Sequence, residues 1–225
     1  MAGSLINFNY IKSSLIKDMG AAIASEGFEF KKKPCAFVKR IPEGSASLYL
    51  IQRHYPNRAF FRIHWAVRIS RIADIYNLVA EKDPEYFSDT QVFSNGMGVL
   101  IDYIDNGNRK ANAADKEYMI EQDGDIPALV AEMVSDIRRY VLPYFEQNNT
   151  LERANELLNR IPEERSVHSS AYPDQMMMGL IAARLTQNTE YDRLVSIYDK
   201  KIAIVSEEAK REYEKLKVVL EQLAV

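Results

Sequence analysis

The sequence predicts an α+β protein: an antiparallel β-meander of about five strands packed by helices, followed by an all-helical C-terminal subdomain. Three stretches carry that prediction. Over 59–69, the apolar residues Phe61, Ile63, Trp65, Val67 and Ile69 alternate with positions that carry Arg62, His64 and Arg68. Successive side chains of a strand point to opposite faces, so this spacing describes a strand with one buried face and one basic face. Over 126–144, Ile126, Leu129, Val130, Met133, Ile137, Tyr140, Val141 and Tyr144 recur every three or four residues. That is the stripe of a long helix lying across the buried face of the sheet. Beyond Gln147-Asn148-Asn149 every periodic stretch is helical. The expected division is an α+β domain over 1–149 and a helical subdomain over 150–225.

The remaining elements follow in order. Tyr10, Ile11, Leu15, Ile16, Met19, Ala22 and Ile23 predict a helix over 9–26, stopped by Gly27. A first strand is expected over 35–41 and a second over 47–55, separated by Pro42-Glu43-Gly44-Ser45. Pro56-Asn57-Arg58 then turns the chain into the central strand. The second strand is apolar on both faces, with Leu48 and Leu50 on one and Tyr49 and Ile51 on the other. Part of the basic face should therefore be covered. Asp74 reads as the N-cap of a short helix ending before Pro84. Residues 93–98 read as a glycine-containing loop, and 99–104 and 117–122 as two further strands. Asp125 reads as the cap of the long helix, and Thr150 and Ser206 as caps in the helical part.

With 47% hydrophobic and 27% charged residues, the composition is that of a folded soluble chain. A lone cysteine, Cys35, excludes an intramolecular disulfide and suits a reducing compartment. The N-terminal stretch lacks the basic residues of a secretory signal, and Ala2 stands where myristoylation needs glycine. No apolar run approaches the roughly 20 residues of a membrane span. The expectation is a cytoplasmic protein with no membrane contact.

Charge is unevenly spread. Residues 1–72 hold 12 Lys and Arg against 4 Asp and Glu, whereas 73–149 hold 6 against 15. Such blocks either mark a surface for an acidic partner or sit side by side and neutralise each other; the second is the commoner arrangement. Nucleic acid is not the expected partner, because Trp65 has core parity and the sequence pI is about 5.8.

Familiar chemistry is missing. Gly96-Met97-Gly98 lacks the third glycine of a dinucleotide fingerprint and precedes a predicted strand instead of a helix. The acidic run from Asp102 to Asn108 fails as a calcium loop, because Arg109 falls on a ligand position. His54 and His64 have matching parity on neighbouring strands and are expected to share a face, yet no spacing motif completes a zinc set. No metal and no cofactor are expected. The candidate binding residues are Arg62, His64, Arg68, Lys39 and His54.

Glu26-Gly27-Phe28, Lys31-Lys32-Lys33, Phe37-Val38-Lys39-Arg40 and, later, Leu142-Pro143-Tyr144-Phe145 carry a resemblance. Over residues 9 to about 150 the chain resembles an uncharacterised bacterial family, domain of unknown function 4304-like. The resemblance implies a leading helix, a Gly-Phe-x-Lys-like turn and a strand meander, and it implies no catalytic residues. Small bacterial domains of this look include immunity and antitoxin-like binders. The functional expectation is a non-catalytic module that binds another protein. The alternative is an enzyme with a dispersed site around His54, His64 and the acidic 102–125 region.

Overall fold

The computed structural model of the protein describes residues 7–55, 57–110 and 113–223. Helix α1 (Phe8–Ile23) opens on Asn7, whose side chain accepts a hydrogen bond from the Tyr10 amide. Ile11, Leu15, Met19 and Ile23 are its buried stripe, one turn apart. After a single 3-10 turn the chain leaves the helix through Gly27 at φ 86°, a left-handed conformation open to glycine because it has no Cβ.

Four antiparallel strands follow: β1 (Glu29–Lys31), β2 (Ala36–Ile41), β3 (Gly44–Tyr55) and β4 (Arg58–Ile69). The short β1 lies in the stretch read as a lead-in to the first strand. Helix α2 (Ser70–Asn77) continues directly from β4. Asp74 therefore sits inside that helix and does not cap it. Strand β5 (Phe93–Gly96), helix α3 (Met97–Asn106) and strand β6 (Tyr118–Ile120) come next. β5 pairs with residues 64–67 of β4 and β6 with residues 59–61, so they share one edge of β4 while β3 holds the other. Among the described residues the sheet has six strands.

Two readings of this region are corrected. Residues 93–96 form a strand and not a loop, and 99–104 are helical and not a strand. A six-residue apolar run fits either period, so alternation cannot decide it. The helix wins because Met97, Val99 and Leu100 turn into the core while Asp105 and Asn106 stay exposed.

Across the buried face runs a nearly continuous helix: α4 (Ile126–Asp136), a π turn over Ile137–Val141, and α5 (Leu142–Gln147). The π turn ends two residues before Pro143, a residue that has no N–H for the regular helical ladder. Trp65 is 1% exposed, its ring centroid 4.6 Å from that of Tyr144 in α5. Its Nε1–H donates to the Gly96 carbonyl at 3.3 Å, so the indole is both packed and satisfied.

The C-terminal part is helical throughout its regular elements: α6 (Leu151–Asn159), α7 (Asp174–Leu185), α8 (Tyr191–Ile202) and α9 (Glu207–Gln222). Thr150 and Ser206 cap α6 and α9 through their hydroxyls. In α7 every residue from Gln175 to Ala183 is buried, as expected of a helix surrounded by others. One hydrophobic cluster includes residues from the sheet, the long helix and α6 to α9. The backbone joins them too: the Ser94 amide donates to the His168 carbonyl at 3.0 Å, and the Ser170 amide to the Ser94 carbonyl at 2.8 Å. Among the described residues no helix is long and apolar enough to cross a membrane.

Replacing Trp65 with Ala should lower stability by about 3–5 kcal/mol, because the cavity opens between the sheet and α5. Urea unfolding measures it, and a loss below about 1 kcal/mol would contradict this packing.

The open face of the sheet as candidate functional site

The hairpin register decides which side chains share the open face. Tyr55 pairs with Arg58, leaving only two residues between them, so Leu48 lies opposite Trp65 and Tyr49 opposite His64. Tyr49, Ile51, Arg53 and Tyr55 of β3 therefore share a face with Arg58, Phe60, Arg62, His64 and Arg68 of β4. Met119 of β6 lies opposite Phe60 and joins them.

The same register separates the candidate residues. His54 pairs with Ala59 and Lys39 with Ala46, both on the core side. His54 packs edge-on against Phe8 at 4.3 Å, and the Lys39 ammonium lies 5.9 Å from the Phe28 ring centroid. The expectation that His54 and His64 share a face is thus corrected. It assumed a three-residue turn, and a turn shorter by one residue reverses the parity between strands. Among the described residues no group of three His, Cys, Asp or Glu side chains is placed to hold a metal ion.

Arg62, His64 and Arg68 do share the open face, and each meets a carboxylate. Arg62 donates from Nε to Glu117 at 3.0 Å, His64 Nε2 lies 3.0 Å from Asp115, and Arg68 pairs with Asp74. Among the described residues, carboxylates from the acidic middle of the chain thus meet Arg62, His64 and Arg68 of this strand but not Arg58. Asp115 was not singled out in the sequence beyond its place in the acidic 102–125 region. It also accepts from the Gly98 amide at 3.2 Å, in the first turn of α3, where a carboxylate complements the helix dipole. Burial pushes the Asp115 carboxyl up, but hydrogen bonds from His64 and the Gly98 amide, with the charges of His64 and Arg62, hold it below the usual Asp range. Gly96 leaves room for this carboxylate: a Cβ there would sit 2.3 Å from Asp115 Oδ1. A His–Asp pair of this kind fixes the orientation of an imidazole.

The face changes character towards the β3–β4 turn. Ile51, Tyr55 and Met119 are 40%, 44% and 46% exposed, and Phe60 is half-buried beside them. The Tyr55 and Phe60 rings meet edge to face at 5.4 Å, with the Arg58 guanidinium 5.6 and 5.3 Å from their centroids. Among the described residues neither Arg53 nor Arg58 has an acidic partner within 4.0 Å. At the other end, the Tyr49 side chain is half-buried and its hydroxyl hydrogen-bonds Gln91.

Comparison of the chain with family models, with curated proteins and with solved structures finds no match.

Asp115→Asn should cost about 1–2 kcal/mol at pH 7, through the lost charge at His64 and at the start of α3. A carboxyl held low when folded stabilises above the ordinary Asp value and stops doing so as pH falls through its folded value. The deficit should therefore shrink below about pH 4, followed by urea unfolding across pH. An equal deficit at about pH 3 and pH 7 would show that the charge contributes nothing.

Proposed function

We propose that this protein is a non-catalytic module that binds another protein through the open sheet face at the β3–β4 turn. The supporting observation is the exposed cluster of Ile51, Tyr55, Phe60 and Met119, flanked by Arg53 and Arg58 with no acidic partner among the described residues. Aromatic, Met and Arg side chains are enriched in protein interfaces, and a paired sheet holds them with little entropy left to lose on binding. The partner this chemistry fits is a protein surface with an apolar centre and acidic groups around it. In this reading the protein is a cytoplasmic bacterial binder of the immunity or antitoxin-like kind. Arg62, His64 and Arg68 serve it by stiffening the face, since each is already held by a carboxylate of the chain.

A second reading, an enzyme, draws on the His64–Asp115 pair, which would position an imidazole as a general base. His54 lies on the opposite face and takes no part in such a site.

A photoreactive residue at position 51 in the cell of origin tests the binding reading, with position 218 on exposed α9 as control. One adduct in stoichiometric yield from 51 and none from 218 is expected, with Ile51→Glu weakening the purified pair at least about tenfold. The reading fails if no adduct forms at 51, or if Val218→Glu weakens the pair as much as Ile51→Glu.

A further inference from the structure

A second concave site lies away from the sheet face, where the end of α3 meets the loop between α6 and α7. Its closed part holds about 40 Å³ and opens to solvent, so a ligand seats one end in it and leaves the rest at the mouth. Its floor is apolar, from Leu157, Leu158, Val167 and the Tyr103 ring, with Ile161 at the side. Its rim carries Arg109, Arg160 and Arg165 against one carboxylate, Glu164. Among the described residues none of those arginines has an acidic partner within 4.0 Å, whereas every cation of the β4 face has one except Arg58. Like charges lining one cleft repel each other unless an anion joins them, and the Arg165 guanidinium also rests 5.2 Å from the Tyr172 ring centroid.

His168 completes the lining. It is 6% exposed, wedged between the Tyr103 ring at 4.9 Å and the stacked Tyr144 ring at 5.8 Å. Burial pushes its pKa down to about 4, helped by the charges of Arg153, Arg160 and Arg109, so the ring is neutral at pH 7. Tyr144, whose phenol burial raises, keeps its proton, and its oxygen lies 2.9 Å from His168 Nδ1. With the phenol donating to Nδ1, the ring proton is assigned to Nε2. The imidazole then adds an N–H to a cleft whose rim already consists mainly of donors.

We infer that this cleft binds a small organic anion, its carboxylate or phosphate monoester head held by Arg109, Arg160 and Arg165, and its apolar or aromatic body against Tyr103, Leu157 and Ile161. Guanidinium forks suit both head groups, and the single carboxylate of Glu164 repels an anionic head less than the arginines on the same rim attract it. The cleft is separate from the protein-binding face, so either assignment can fail without the other.

Calorimetric titration of the full chain with benzoate and with phenyl phosphate tests it. Inorganic phosphate supplies the head without the body, and benzyl alcohol the body without charge. At least one aromatic anion should bind, weakened about tenfold or more by Arg160→Gln or Arg109→Gln and unchanged by Arg40→Gln at an exposed position of β2. The stronger of the two anions identifies the head group. All three arginines are exposed, so melting temperatures of the variants should match the parent and separate binding from folding. Binding of neither anion, equal binding of benzyl alcohol, equal binding of inorganic phosphate, or indifference to both cleft substitutions would overturn the assignment.

Discussion

The burial of Trp65 between the sheet and α5 is the contact on which the other layers depend. The indole sits in the middle of β4, the strand paired along both edges, and its N–H ends on the backbone of β5. Facing Tyr144, it joins the sheet to the long helix, and Tyr144 in turn holds His168 from the helical C-terminal part. A chain of three aromatic rings thus runs from the first half of the sequence to the second. Turning β4 over would expose the indole and bury Arg62 and Arg68, each at a cost of several kcal/mol, which fixes its orientation.

Once β4 is fixed, electrostatics arrange the open face. Arg62, His64 and Arg68 are delivered in alternate register, and the acidic middle of the chain supplies Glu117, Asp115 and Asp74. Of the 12 Lys and Arg in residues 1–72, Arg62 and Arg68 are the ones matched by the acidic middle among the described residues. Among the cations left without such a match, Arg53 and Arg58 lie at the hairpin end, and Arg109, Arg160 and Arg165 line the cleft. Matched charges stiffen the molecule, and unmatched ones beside apolar side chains are where ligands gain most.

The α+β class, the meander and the helical C-terminal part were legible because long amphipathic periods survive in single sequences. Trp65 and its alternate neighbours, the stripe from Ile126 to Tyr144, and the caps at Thr150 and Ser206 are all local signals. What was not legible depended on register or on tertiary context. The position of His54 turned on one residue of hairpin length, and the helix over 97–106 on whether its apolar side faced a sheet or a helix. Asp115 has no local signature, because its partners lie 51 and 17 residues away. Arg160 and Arg165 surround a loop that periodicity says nothing about.

Trp65 is the only tryptophan in the chain, so its fluorescence reports the central contact without any substitution. The account predicts a blue-shifted emission that acrylamide and iodide barely quench in the folded protein and quench fully in urea. A red-shifted emission already open to iodide before unfolding would place the indole in water and contradict the layering, the register and the faces derived from it.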